Sequence, residues 1–145
     1  AWRRRSGSTW QPVALLEDIR TRLVAASVGV AGTTLFIGRG LPDTPDACVS
    51  VQQYAGDAPV DTLGASLDAP KIQRPRIQVV ARATTFTAAE TKAKAAYAAL
   101  HNFVGTLNST RYLRIAALQD VFLMRRDKSN RIVVGANFEV WKDFS

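Results

Sequence analysis

The stretch from Pro75 to the end of the chain limits most narrowly what this sequence can fold into. Ile77, Val79, Ala81 and Ala83 alternate with Arg76, Gln78, Val80 and Arg82, the period of two of a strand with one face on a core. Next, Thr87-Ala88-Ala89-Glu90 has the capping-box form, threonine with glutamate three residues later, that opens a helix. That helix is expected to reach about Val104. It would turn Ala93, Ala96, Tyr97, Leu100, Phe103, Val104 and Leu107 inward and keep Lys92 and Lys94 outside. Tyr112 to Ala117 and Val121 to Arg125 then read as strands with a bend at Gln119-Asp120, and Arg126 to Arg131 reads as a turn. In the last strand Ile132, Val134, Ala136, Phe138 and Val140 share one face. Its inward and outward sides follow from the same period.

The first half adds a helix and two short strands. Leu15, Leu16, Ile19, Leu23 and Ala26 recur at three- and four-residue spacing and predict a helix from Pro12 to Ser27. Pro12 suits its first turn and Gly29 its stop. Thr34 to Ile37 and Ala47 to Tyr54 read as strands, the second with Val49 and Val51 on one face and Cys48, Ser50 and Gln52 on the other. Ala55 to Arg74, with Gly56, Pro59, Gly64 and Pro70, reads as a long loop, a kind that is usually functional in compact domains. The expectation is an α+β fold: a mixed or antiparallel sheet, two helices packed on one face, the long loop and a C-terminal β-hairpin. Residues 1–10 would be a basic arm and 11–145 a single domain.

A chain of 145 residues with 47% apolar content can bury a core of its own. Its longest near-apolar stretch, Leu23 to Ile37, is too short for a membrane span. The first residues, Ala1-Trp2-Arg3-Arg4-Arg5, lack the apolar core of a signal peptide. Lys and Arg number 19 against 12 acidic residues, a net charge of +7, and the excess is uneven. Leu41 to Pro70 holds five Asp (43, 46, 57, 61 and 68) and no Lys or Arg, whereas Lys71 to Lys94 holds six basic residues and one Glu. Such polarity suits head-to-tail docking of copies or a polyanion nearby.

Groups with chemical potential are few. Cys48 is the only cysteine, so neither an intrachain disulfide nor a cysteine-based zinc site can form; mid-strand, it reads as a small buried hydrophobe. His101 is the only histidine and has no nucleophile or carboxylate placed beside it by spacing. It reads as helix surface or as a partner of the helix dipole. Gly38-Arg39-Gly40 lacks the spacing of a phosphate or dinucleotide loop. The five Asp lack metal-loop spacing. No enzyme, cofactor or metal is expected. Trp2, Arg3, Arg4 and Arg5 could touch DNA or a partner through charge and stacking, but nothing supports specific base readout.

The order of these segments resembles the tail-terminator (tail-completion, or minor capsid) proteins of long-tailed phages with non-contractile tails. The resemblance covers most of the chain. It rests on Pro75-Arg76-Ile77-Gln78-Val79-Val80-Ala81-Arg82 before a small-residue helix, Ala88-Ala89-Glu90 through Ala95-Ala96-Tyr97-Ala98-Ala99-Leu100. It rests also on the closing hairpin, with Arg126-Asp127 at its turn and Asn137-Phe138-Glu139-Val140 on the return strand. The Arg-rich arm has no counterpart in that pattern.

The resemblance implies a structural virion protein at the tail–neck junction, assembled in the host cytoplasm. It would form a ring, typically a hexamer, that ends tail-tube polymerisation and docks the head connector. Its partners would be copies of itself, the tail-tube protein and a head-completion or connector protein. Genomic DNA would pass through the lumen with transient, non-specific contact, and no membrane is involved. A heterologous ring needs two complementary surfaces on each subunit. Their length and polarity make two segments the expected interface: Asp57, Asp61, Asp68, Lys71 and Arg74 in the loop, and Arg125, Arg126, Asp127, Lys128 and Arg131 at the hairpin. The alternatives are a head–tail connector or stopper ring of the neck, and a non-specific DNA-binding accessory protein.

Overall fold

The computed structural model describes residues 2–4, 10–12, 14–60, 72–108 and 110–143. Strands β1 (Trp2–Arg4) and β2 (Trp10–Pro12) form a small antiparallel ladder of their own. Helix α1 (Ala14–Ala25) and strands β3 (Leu35–Ile37), β4 (Cys48–Val60) and β5 (Ile72–Ala83) follow. Then come α2 (Phe86–Leu100), β6 (Phe103–Leu107), β7 (Thr110–Ala117), β8 (Phe122–Arg126) and β9 (Ile132–Asp143). The sheet runs β3-β4-β5-β9-β7-β6, with β8 also on β9. β3 lies parallel to β4 and every other pairing is antiparallel. The class is α+β with a mixed sheet, as expected.

β9 organises the sheet. One edge pairs with β5 from Ile72↔Asp143 to Ala83↔Ile132. The other is shared, β8 taking Ile132 to Gly135 and β7 taking Phe138 to Lys142. The predicted alternation puts Ile77, Val79, Ala81 and Ala83 beside Val134, Ala136, Phe138 and Val140 in one core with both helices. Helix α1 contributes Ile19 and Leu23, and α2 contributes Ala89, Ala93, Ala96, Ala99 and Leu100. Small residues let α2 lie close on the strands.

Boundaries differ from expectation for local reasons. Pro12 lies in β2 rather than in the first helix. Helix α1 stops because Ser27 takes a positive φ of 59°. Ser27 N–H bonds Val24 O and Val28 N–H bonds Leu23 O, a Schellman closure with serine where glycine is usual. The cap of α2 is Thr85, whose hydroxyl accepts from Ala88 N–H at 3.2 Å, so Thr87 lies inside the first turn. The same helix ends at Leu100 because Asn102 has φ 63°. Phe103, Val104 and Leu107, expected on its apolar face, are therefore in β6. Val104, Gly105 and Thr106 are poor helix formers.

Both ends of the expected 55–74 loop are strand. β4 continues to Val60 and β5 starts at Ile72, with register shifts between Gln53 and Ala55 and between Asp57 and Val60. Bulges let a strand absorb Gly56 and Pro59 and continue. The connection, 61–71, lies outside the described residues.

Candidate functional site

Of the predicted interface residues, the structure places Asp57 and Arg74 at one end of the sheet and Arg125, Arg126, Asp127, Lys128 and Arg131 at the other. Because β5 and β9 are antiparallel in unbroken register, the base of the β4–β5 connection lies at one end. The β8–β9 turn lies at the other, about 35–40 Å away at roughly 3.3 Å per residue. At the first end, Asp57 pairs through its backbone with Arg74, whose guanidinium stacks over the Trp141 ring at 5.1 Å. Asp61, Asp68 and Lys71 lie outside the described residues. Trp2, Arg3 and Arg4 form β1, and Arg5 lies outside the described residues.

The turn at the second end is built around Asp127. Its Oδ1 accepts the N–H groups of Ser129 (2.9 Å) and Arg131 (2.8 Å), and its Oδ2 accepts Arg131 Nε at 2.7 Å. Asn130 closes the turn with φ 62°, the left-handed conformation asparagine tolerates best after glycine. Arg131 Nη1 donates to Asp43 O (2.6 Å) and to Asp46 Oδ1 (3.1 Å). Arg82 Nη1 approaches Asp127 Oδ2 at 3.9 Å while its Nε and Nη2 donate to Asp46 O and Pro45 O. Burial opposes ionisation of Asp127, yet the bonds from Arg131 and Ser129 outweigh it and hold the carboxyl below its usual range. Burial likewise opposes the Arg131 charge, and the Asp127 and Asp46 carboxyls overcome it. Two predicted interface residues, Asp127 and Arg131, thus bond within the chain, whereas Arg125, Arg126 and Lys128 point to solvent.

Sequence reasoning missed Arg82 and Asp46 as the other half of this network. Arg82 sits on the sheet face away from the helices, yet it is 3% exposed because the 38–47 segment folds over it. The same segment covers Ser50, whose hydroxyl donates to Arg39 O, and burial pushes the Cys48 thiol up. Arg82 falls on the outward row with Arg76, Gln78 and Val80, so its burial had no signal in sequence, and its partners lie 36 and 37 positions away.

The remaining chemical candidates have structural partners. Cys48 is fully buried. His101 caps α2; its Nδ1 accepts Ala117 N–H at 3.1 Å and its ring lies 5.0 Å from Tyr97, tying the helix end to β7. Among the described residues no group of three His, Cys, Asp or Glu could hold a metal ion, and no helix is long and apolar enough to cross a membrane.

Residues 22–143 match a family described as bacteriophage tail terminator protein. A chain from the solved virion of a native gene transfer agent particle has the same fold. It matches with a TM-score of 0.59 at 18% identity, over 90% of this chain and 95% of that one. No curated protein matches.

Proposed function

The chain belongs to the bacteriophage tail terminator family, and on that footing we propose that it caps the head-proximal end of a tail tube as a ring of identical subunits, six by the family resemblance. The family is one of virion structural proteins rather than enzymes. The family match over residues 22–143 carries the proposal, and the geometry supports it. A heterologous ring needs two unlike surfaces per subunit, and in sequence the 57–74 segment, with Asp57, Asp61 and Asp68, is the more acidic and the 125–131 turn the more basic. The β4–β5 end, with Asp57, Asp61, Asp68, Lys71 and Arg74, is the proposed seat of subunit and tube contacts. The β8–β9 end meets a partner through Arg125, Arg126 and Lys128, with Asp127 and Arg131 setting its shape. One ring face copies the end interface of the tube and the other does not, so growth stops and the connector has a surface to bind. DNA passes through the lumen.

Light scattering on the purified protein, with negative-stain images, tests the ring. A closed species of about six subunits is expected, either alone or as caps when the protein is mixed with tail tubes. A monomer that leaves tubes uncapped refutes the proposal. Deleting 57–68 should abolish rings and caps; normal capping by that variant would remove the β4–β5 end from the interface.

A further inference from the structure

We infer that neighbouring copies of this chain are joined strand to strand, β8 of one copy pairing antiparallel with residues 53–57 of β4 in the next. The inference rests on the ring proposed above and names the partner of its β8–β9 end. A strand with an unpaired edge holds a row of backbone N–H and C=O groups ready for another chain. Most edges of this sheet are closed. At β3, Leu35 N–H bonds Val30 O, and Leu35 O takes Gly32 N–H. β6 lies against α1, where Asn108 Nδ2 donates to Asp18 Oδ1 and Arg22 stacks over Phe103 at 4.8 Å. Two edges are open among the described residues. β8 pairs only with β9. β4 has β3 beside it only at residues 49–51, so 53–57 has β5 alone. Backbone groups face outward on both. Asp127 N–H bonds Arg131 O. The alternation of an antiparallel ladder then turns the groups of Arg126 and Leu123, opposite Ile132 and Val134, away from β9. Gly38 N–H bonds Val51 O, so Gln53, two residues on, faces away from β5 in the same way.

Direction, charge and place select a second copy as the occupant. β4, β5, β9 and β8 are antiparallel in turn. β8 of one copy therefore meets β4 of a like-oriented copy running the opposite way. β8 carries Arg125 and Arg126 and no carboxylate, whereas 53–57 carries Asp57 and no cation. Arg125 and Arg126 lie opposite Val133 and Ile132, one on each face of the sheet, so cations flank the edge on both faces. A second β8 on that edge would set like charges across the ladder, which is unfavourable. Tyr54 and Leu123 are 48% and 56% exposed, apolar surface that an added strand covers, and tyrosine is enriched in interfaces. The two edges lie on opposite sides of the sheet and at its opposite ends, so one copy can use both at once. Copies joined this way are staggered along their strands, the tilt with which a ring of strands closes. In strand addition the backbone bonds supply affinity and the side chains choose the partner.

Oxidative cross-linking of the full chain tests the inference. Leu123→Cys or Arg126→Cys is combined in one chain with Gln53→Cys or Tyr54→Cys; the native Cys48 is fully buried. Facing Cα atoms of paired strands lie about 4.5–5.5 Å apart, within the reach of a disulfide. At least one combination should give a ladder of covalent oligomers, and each single variant should give none. The inference is overturned if no combination gives a ladder. Dimers of a single Leu123→Cys or Arg126→Cys variant would place β8 on β8 and overturn it too. Leu123→Pro removes an N–H that β9 does not use, so circular dichroism should show a folded chain that has lost its rings and caps. Rings that persist in that folded variant contradict the pairing, and the cross-links decide alone if it fails to fold. In the wild type, hydrogen exchange at the Gln53, Leu123 and Arg126 amides should slow on assembly. Light scattering on the same samples separates the two readings. A ladder from open chains of subunits removes the closed ring and keeps the strand pairing, whereas rings without a ladder remove this inference alone.

Discussion

Replacing Tyr112 by Phe asks whether α1 is held to the sheet by a buried polar bond as well as by Ile19 and Leu23. Tyr112 is fully buried, and its hydroxyl donates to Asp18 Oδ2 at 2.5 Å. Asp18 is itself fully buried and takes Asn108 Nδ2 on its other oxygen at 2.8 Å. Phenylalanine keeps the ring and its apolar contacts, so the change isolates the hydroxyl. Leaving a buried acceptor oxygen without its donor costs about 1–3 kcal/mol. At ~2.1 cal/mol/K per residue, 145 residues unfold with an entropy of about 0.3 kcal/mol/K, so the melting temperature should fall by about 3–10 °C. Urea unfolding at fixed protein concentration should show the same loss with an unchanged m value. A loss under about 0.5 kcal/mol, the range of a neutral surface change, would refute the reasoning. So would a double-mutant cycle with Asp18→Ala that shows no coupling, since bonded partners should couple by at least about 0.5 kcal/mol.

The same substitution has a pH signature. Burial, and then the Asp18 bond, raise the Tyr112 pKa well above its ordinary value of 10.0. Above pH 10 the unfolded chain therefore loses a proton that the folded chain keeps, and stability falls as pH rises. The Phe variant has no proton to lose there. Its stability should decline less steeply than that of the wild type on the alkaline side, and parallel curves would contradict the buried hydroxyl.

Three further changes probe other joints. Asp127→Asn removes a carboxyl held below its ordinary value of 3.8; the stability it supplies is present above that pH and lost as pH falls through the folded value. Thermal melts across the acid range should show a smaller acid-side loss in the variant, and hydrogen exchange should rise at the Ser129 and Arg131 amides that the carboxylate holds. Gly135→Val should cost about 1–3 kcal/mol by overpacking, because a Cβ there would stand 2.5 Å from Met124 Sδ. Denaturant midpoints should show a smaller cost in a Met124→Ala background. Ser27→Gly should stabilise by about 0.5–1 kcal/mol, since Ser27 holds φ 59° at the end of α1; a lower melting temperature would contradict the Schellman assignment.

Local repetition made much of the fold legible. Ile77 to Ala83 and Ile132 to Val140 repeat a two-residue period that only a half-buried strand satisfies, and both became the central β5 and β9. Single residues that reverse the backbone were harder to see. Asn102 turns the chain into the left-handed region, yet an asparagine after Leu100-His101 does not announce this, so the apolar pattern carries the expected helix on into β6. Gly56 and Pro59 usually mark a loop; here they are accommodated where β4 shifts register. The turn's charges were the least legible. Its position was plain from sequence, but Arg131 bonds Asp43 across 88 positions, a pairing set only by the folded sheet.

That pairing sets Arg131 and Arg82 apart from Arg125 and Arg126 by burial. Arg131 and Arg82 are nearly buried and share Asp127 and the 38–47 segment as partners. Arg125 and Arg126 lie a few residues away on β8, exposed and without a carboxylate among the described residues. A partly buried ion network is weak evidence for stability, because desolvation offsets much of the attraction. Its clearer consequence is geometric. β8 pairs with β9 only from Ile132 to Gly135, so that arm of the hairpin has few ladder bonds to keep its direction. The Asp127–Arg131–Asp46 links supply that direction from the side and join two segments far apart in sequence. Charges committed inward thus fix where the uncommitted ones are presented.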